Sequence, residues 1–151
     1  MKKLLFLILL FLIPNLVMAE PFKLVCEGNY TIKPNGSDDI LRESGKLSVS
    51  VFEDSIKVDN IIFITDIYKT KEVDVVKSYE VFDDSIRGLS SVKTKGESYF
   101  RDEYASVDID RIIGDISFHS STKQNNDDTP EINFDVWKTF IGSCKKSEKA
   151  F

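Results

Sequence analysis

The sequence is short of the residues on which most catalytic and metal chemistry depends. Its 151 residues include 1 histidine, 2 cysteines, 1 tryptophan, 7 glycines and 4 prolines. A single imidazole leaves too few nitrogen ligands for the usual zinc sites and only one candidate base for a catalytic triad. No Gly-x-Ser-x-Gly segment, glycine-rich phosphate loop or EF-hand calcium loop occurs. We therefore predict a protein that is not an enzyme, with no catalytic residue, no cofactor and no metal.

Long apolar runs are absent after the first segment of the chain. Two lysines near the start, an uncharged apolar run at 4–13 and small residues ending at Ala19 are typical of a cleavable secretory signal. Pro14 interrupts the apolar run well before the roughly 20 residues that a membrane helix needs. The sequence predicts a signal peptide at 1–19 and a single β domain at 20–151. We expect that domain in the periplasm or secreted, with no membrane span once the signal is removed.

Positive charge is scarce in the predicted mature domain. The chain has 20 Lys and Arg against 25 Asp and Glu, and the two lysines of the signal reduce the basic side chains to 18, which gives a net charge of −7. Such a balance repels phosphate backbones and anionic lipid surfaces. We therefore exclude nucleic acid as a partner. An envelope protein and a small apolar ligand remain as the expected partners.

Helical periodicity is missing from the region that follows the signal. Apolar and polar residues alternate instead, as where Leu47, Val49 and Val51 share one face, and clusters of turn-forming residues separate the runs. Eight runs of this kind predict an all-β fold, an antiparallel meander of about eight strands in a closed or partly closed small barrel.

Three stretches fit this pattern less well. Residues 61–68 continue the third strand or form a bent extension of it, and residues 86–94 form a fifth strand with a poor pattern. The polar residues at 122–130 predict a surface loop.

The two cysteines predict how the barrel closes. Cys26 falls in the first predicted strand and Cys144 in the last, each on the apolar face of its strand. Thiols in an oxidising compartment normally pair, and a disulfide needs Cα atoms within roughly 7 Å of each other. A Cys26–Cys144 disulfide would therefore make the first and last strands neighbours.

Aromatic side chains supply the candidates for a contact surface. Most of them alternate onto the inner faces of their strands, but Trp137 and a few others point outward, namely Phe52, Phe82, Phe100 and Tyr104. Outward aromatics either form an interface or pack beneath loops. We take Gly96, Tyr99 and Trp137 as the candidate contact surface and interpret His119 as a surface histidine on a polar strand face.

Two short patterns near the end of the chain resemble those of known proteins. The Asp110-Arg111-Ile112-Ile113-Gly114 turn followed by Gly142-Ser143-Cys144 resembles a recurring ending of small, uncharacterised secreted bacterial β proteins, with an Asp/Asn-Arg-x-x-Gly turn before a terminal Gly-x-Cys strand. This resemblance covers about the last third of the chain. It implies export and β structure and carries no known activity.

A second resemblance is to periplasmic lysozyme inhibitors of the small-barrel type. It lies in Leu24-Val25-Cys26-Glu27-Gly28 and in the disulfide-closed barrel. The inhibitory Ser-Gly-x-x-Tyr loop of those proteins is matched in part by Lys95-Gly96-Glu97-Ser98-Tyr99.

These observations favour an exported, non-enzymatic β-barrel binding or interaction module. Two alternatives remain open at the level of sequence. One is a periplasmic protein inhibitor of a basic hydrolase, and the other is a lipocalin-like carrier of a small apolar ligand.

Overall fold

The computed structural model describes residues 22–35, 37–130 and 133–146. The predicted signal peptide lies outside these residues. The strands are β1 Phe22–Lys33, β2 Leu41–Val51, β3 Ser55–Val58, β4 Ile61–Ile64, β5 Asp66–Lys69, β6 Val73–Val81, β7 Ser85–Lys95, β8 Tyr99–Asp110, β9 Asp115–Asn126 and β10 Phe134–Lys146. The described part of the chain contains no helix that is long and apolar enough to cross a membrane.

All ten strands belong to one antiparallel sheet in the order β4-β3-β2-β1-β10-β9-β8-β7-β6-β5. Each strand pairs with its neighbour in sequence, except that β1 also pairs with β10 and that β4 and β5 lie at opposite ends of the sheet. The predicted all-β meander and its nearly closed barrel are confirmed. The expected contact between the first and last strands is confirmed as well.

The structure has ten strands where the sequence predicts about eight, because the third predicted strand consists of three. The chain reverses after β3 at Asp59, which has a φ of 51°, and β4 returns along β3. It then bends at Thr65, so that β4 pairs with β3 whereas β5 pairs with β6. The prediction that residues 61–68 continue or extend the third strand is therefore wrong, because a tight hairpin reverses the chain before Ile61 and β4 runs antiparallel to β3.

The barrel nearly closes at this bend. The Thr65 hydroxyl lies 3.4 Å from both the backbone N and the backbone O of Tyr79 in β6. Here a side chain supplies the hydrogen bonds that backbone groups supply between paired strands elsewhere in the sheet. Phe63 of β4 is fully buried against β7, where a Cβ on Gly88 would lie 2.7 Å from its ring. Gly88 thus leaves the space that Phe63 fills, which explains why this inward position of β7 carries no apolar side chain.

The hydrophobic core occupies one half of the sheet, which we call the packed half. Its inner face carries fifteen buried apolar residues: Cys26, Tyr30, Leu47, Val49, Val51, Ile56, Val58, Phe63, Ile86, Ala105, Val107, Ile109, Ile116, Phe118 and Phe140. The rings of Tyr30 and Phe140 lie 4.7 Å apart at its edge. Beyond them, the ends of β6 to β10 that hold residues 73–77, 90–94, 99–104, 119–126 and 134–139 form what we call the open half.

The seam between β1 and β10 joins the two ends of the chain. Cys26 and Cys144 face each other in the ladder with Cα atoms 3.9 Å apart and form the expected disulfide. Two residues after Cys26 in β1, Gly28 faces Gly142, and a Cβ on Gly28 would come within 2.5 Å of the Gly142 Cα. The bridge spans 118 residues, and the chain-entropy model gives about 4.7 kcal/mol for a loop of about 100 residues.

The turn between β8 and β9 contains the residues from Asp110 to Gly114. The Asp110 carboxylate accepts hydrogen bonds from the backbone N–H groups of Ile112 and Ile113, at 2.8 and 3.0 Å. Arg111 donates to the Phe82 carbonyl at 2.7 Å in the neighbouring turn. Gly114 has a φ of +81°, a conformation that side-chain-bearing residues rarely adopt. These residues hold the packed end of the barrel together.

The predicted loop at 122–130 is wrong for its first five residues. Strand β9 continues to Asn126 and pairs with β8 and β10 along its length. The residues from Thr122 to Asn126 are polar because they lie in the open half, where neither face of the sheet is covered by the core.

Candidate functional site

The outer face of the open half brings together the side chains with the most chemical variety. In each of the strands β7 to β10 the core residues fix which positions point inward, and the alternate positions point outward. Register partners in neighbouring strands share a face, so the ladders arrange the outward side chains in rows that run across the strands. Two adjacent rows define the candidate site.

The first row, which we call the charge row, alternates in sign across four strands. It consists of Lys93, Asp102, Lys123 and Asp135, each directly opposite the next. Lys93 and Asp102 approach to 3.8 Å, and both remain partly exposed. Asn35 supports the end of this row, because its side-chain oxygen accepts a hydrogen bond from the Asp135 backbone at 2.9 Å.

The second row, which we call the aromatic row, lies two residues away from the charge row along each strand. It consists of Ser91, Tyr104, Ser121 and Trp137. Tyr104 and Trp137 both face Ser121, one from each neighbouring strand, and strands lie about 4.8 Å apart. The two large rings therefore stand on strands roughly 10 Å apart, with a small hydroxyl side chain between them.

His119 connects the two rings of the aromatic row. Its ring centroid lies 5.8 Å from that of Tyr104 and 6.5 Å from that of Trp137, with tilted planes in both pairs. Its Nδ1 atom lies 3.0 Å from the Thr139 hydroxyl, the residue directly opposite in β10. The histidine is half-buried and held in place on the outer face.

A depression of about 350 Å³ lies over the two rows. Its lining contains the whole charge row together with Ser91, Tyr104 and Ser121. Trp137 stands next to it as the partner of Ser121. We call the two rows, His119 and this depression the outer-face site.

The structure separates the three residues that the sequence suggested as a contact surface. Trp137 points outward and belongs to the outer-face site, whereas Tyr99 lies on the inner face, in line with Ala105 and the other core positions of β8. Gly96 lies in the turn between β7 and β8, where its N–H donates to the Tyr99 carbonyl at 2.8 Å. The outward position expected for Tyr104 is the one that the structure shows.

The inner face of the open half carries a second polar group. The Arg101 Nε donates to the Glu103 carboxylate at 3.0 Å, and Tyr99 donates to Gln124 at 3.4 Å. The hydrogen bond to Glu103 raises the pKa of Arg101 above its usual value. This face therefore carries an ion pair and an amide among apolar side chains such as Val92 and Val136, which share the row of Glu103.

Most of the outer-face site was missed at the level of sequence. Lys93, Asp102, Lys123 and Asp135 look like ordinary surface charges when each strand is taken alone, and Lys123 fell in a predicted loop. Alternation does identify the outward residues of each strand from the sequence. Those residues can be aligned across four successive strands once the register is known. His119 was interpreted as an isolated surface histidine, but the structure places it between two aromatic rings.

Within residues 22–35, 37–130 and 133–146 no group of three or more His, Cys, Asp or Glu side chains is arranged to hold a metal ion. Comparison with protein-family models finds none that matches this chain, and comparison with curated proteins finds none that matches either.

Proposed function

We propose that this protein is an exported binding module without enzymatic activity, and that it holds a component of the cell envelope on the outer-face site. One observation carries the proposal. The only histidine of the chain lies between Tyr104 and the only tryptophan, Trp137, on the outer face of the barrel, beside a depression lined by charges and hydroxyls. Aromatic side chains with a few well-placed polar groups are characteristic of ligand and partner sites.

The division of the barrel supports this proposal. The packed half contains the buried residues that stabilise the fold. In the open half, Tyr104 remains 36% exposed, and Lys93, Lys123 and Asp135 are exposed as well. Large aromatic side chains on an exposed face are more useful for a contact with another molecule than for the stability of the domain.

Export is part of the proposal. The N-terminal pattern ending at Ala19 is that of a secretory signal, and a disulfide between the only two cysteines persists in an oxidising compartment. We place the mature protein, which begins at Glu20, in the periplasm or outside the cell.

The two alternatives have less support. A carrier of a small apolar ligand needs an apolar cavity, but the packed half is filled by side chains such as Phe63 and Phe140, and the inner face of the open half carries Arg101 and Glu103. An inhibitor of a basic hydrolase would have to use the turn at 96–99, in which Gly96 and Glu97 are exposed but Ser98 and Tyr99 are half-buried, together with the net negative charge. The charge row, by contrast, is balanced.

Co-sedimentation tests the proposed function. The protein is recovered from the extracytoplasmic fraction of its producing cells, and its intact mass is measured without reduction, which reports both cleavage after Ala19 and the disulfide. It is then mixed with the insoluble envelope of the same cells. We expect the wild type to co-sediment and Trp137→Ala to bind at least tenfold more weakly, because loss of a central aromatic contact costs a binding site at least about 1.4 kcal/mol.

Tyr68→Ala is the matched control for this experiment. Tyr68 is 53% exposed on β5, outside the outer-face site, so its loss should leave co-sedimentation within twofold of the wild type. Equal retention of wild type and Trp137→Ala, or no retention of the wild type, would rule out the proposed function. Two free thiols or an uncleaved precursor outside the cell would contradict the proposed route of export.

A further inference from the structure

We infer that the ligand of the outer-face site is a neutral glycan, with a sugar ring stacked on the aromatic row and its hydroxyl groups bonded to the charge row. This inference rests on the proposed function and adds the chemical class of the ligand. Three properties of the site lead to it: the sign pattern of its charges, the spacing of its rings and the mixture of its hydrogen-bonding groups.

The sign pattern favours a ligand without net charge. Lys93, Asp102, Lys123 and Asp135 alternate at one residue per strand. An extended anionic or cationic partner laid across this row would meet a side chain of like charge at every second strand, which is unfavourable. A neutral polar ligand meets no such repulsion, and its groups can accept from the lysines and donate to the aspartates.

The ring spacing favours a ligand with a flat, weakly polar face. Tyr104 and Trp137 lie on either side of Ser121, and His119 bridges them on one side. Tyrosine and tryptophan offer a broad apolar face together with a polar edge. The carbon-bound hydrogens on one face of a sugar ring can rest on such a surface while its hydroxyls point toward the neighbouring polar row.

The hydrogen-bonding groups match a polyol. The depression contains two ammonium donors, two carboxylate acceptors and the hydroxyls of Ser91 and Ser121, which both donate and accept. Each sugar hydroxyl can also both donate and accept, and hydrogen bonds to charged groups are the stronger kind. The four strands span roughly 14 Å at the usual strand spacing, which is long enough for more than one sugar unit.

The lone tryptophan provides a direct measurement. Trp137 is the only tryptophan in the chain, so the intrinsic tryptophan fluorescence of the protein arises entirely at this site. The probes are tetrasaccharides of β-1,4-linked N-acetylglucosamine, β-1,4-linked glucose and α-1,4-linked glucose, followed by an array of neutral glycans. Anionic polygalacturonate, cationic chitosan oligomers and a proline-rich peptide are tested in parallel.

We expect at least one neutral glycan to change the Trp137 fluorescence saturably, with an affinity at least tenfold higher than that of any charged probe or the peptide. Tyr104→Ala should weaken that binding at least tenfold, and Asp102→Asn at least threefold. The control Tyr68→Ala should remain within twofold of the wild type.

Calorimetry extends the test to the tryptophan itself. Trp137→Ala should lose at least tenfold in affinity for the same glycan, while Trp137→Phe, which keeps a ring, should recover most of it. Urea unfolding midpoints of each variant are compared with that of the wild type, so that a loss of binding is not confused with a loss of fold.

The outcomes separate this inference from the proposed function. If Trp137→Ala abolishes co-sedimentation with the envelope but no neutral glycan binds, or if a charged probe or the peptide binds more tightly, the glycan assignment is overturned and the binding face is retained. If co-sedimentation does not depend on Trp137, both fail. Glycan binding that is unaffected by Tyr104→Ala would also overturn the assignment, because the sugar would then bind elsewhere.

Discussion

The two halves of strand β8 differ in the kind of side chain that they place on the inner face of the sheet. In its second half, Ala105, Val107 and Ile109 point inward and are 2 to 4% exposed. In its first half the corresponding inward positions carry Arg101 and Glu103, which form an ion pair and are only half-buried. Strand β9 changes in the same way along its length, whereas β10 keeps Phe134 and Val136 at inward positions in the open half. One continuous ladder therefore joins a region that stabilises the fold to one that offers polar groups on both faces.

This difference indicates where stability and recognition reside. A residue in the packed half is surrounded by apolar neighbours, and its loss leaves a cavity. A residue on the outer face of the open half has solvent on one side, and its removal changes the folding equilibrium little. Such a region can change its side chains to suit a ligand without a large loss of stability.

The largest effect should follow a change at a fully buried residue of the packed half. Phe63 is fully buried against β7, and we expect Phe63→Ala to reduce the free energy of unfolding by about 3 to 5 kcal/mol because a cavity remains. The matched control is Ile67→Ala, since Ile67 is 78% exposed on β5, and we expect a change within about 0.5 kcal/mol. Urea unfolding of the oxidised proteins measures both. Similar values for the two variants would show that burial of Phe63 does not stabilise the fold.

A smaller effect should appear where the packed half meets the open half. The Tyr30 hydroxyl donates to the Lys46 carbonyl at 2.9 Å, so we expect Tyr30→Phe to cost about 1 kcal/mol at neutral pH. Burial raises the pKa of Tyr30 above the ordinary tyrosine value of 10.0.

The raised pKa of Tyr30 also sets a pH dependence. The folded state keeps this proton when the unfolded chain has lost it, so the contribution to stability is complete below pH 10.0 and is lost as the pH rises from there toward the folded pKa. The free energy of unfolding of the wild type should therefore fall more steeply above pH 10.0 than that of Tyr30→Phe. Parallel curves for the two proteins would contradict this prediction.

The smallest effect on stability should come from the outer-face site. The Lys93 and Asp102 side chains are 55% and 33% exposed and 3.8 Å apart, and exposed ion pairs of this kind contribute about 0 to 1 kcal/mol. Lys93→Ala, Asp102→Ala and the double variant should therefore stay within about 1 kcal/mol of the wild type. A double-mutant cycle in urea gives the coupling between them. A loss of more than about 2 kcal/mol would show that the charge row stabilises the fold rather than a ligand.

The sequence predicts the packed half well and the open half poorly. Alternation in β1, in the second part of β2 and in β10 identifies Cys26, Leu47 and Phe140 as inward residues, because burial on one face requires apolar side chains at every second position. In β7 the signal fails at Gly88, whose inward space is filled by Phe63 from another strand. In β9 it fails from Thr122 onward, since neither face there is covered by the core and the side chains need not alternate.

The candidate site was also predicted only in part from the sequence. Trp137 and Tyr104 could be placed on the outer side from their positions in their own strands. Their separation by Ser121, and the contact of each with His119, depend on the register of β8, β9 and β10. A shift of one residue in any ladder would send one ring to the opposite face.

The sequence by itself determined the β class, the pairing of Cys26 with Cys144 and the contact between the first and last strands. Each of these follows from alternation within a strand or from the chemistry of two thiols. The tertiary structure decided where the barrel nearly closes, how Phe63 fills the space at Gly88, and which outward side chains become neighbours. Those features depend on strand register and on packing between segments far apart in the chain, and a pattern confined to one strand contains no information about either.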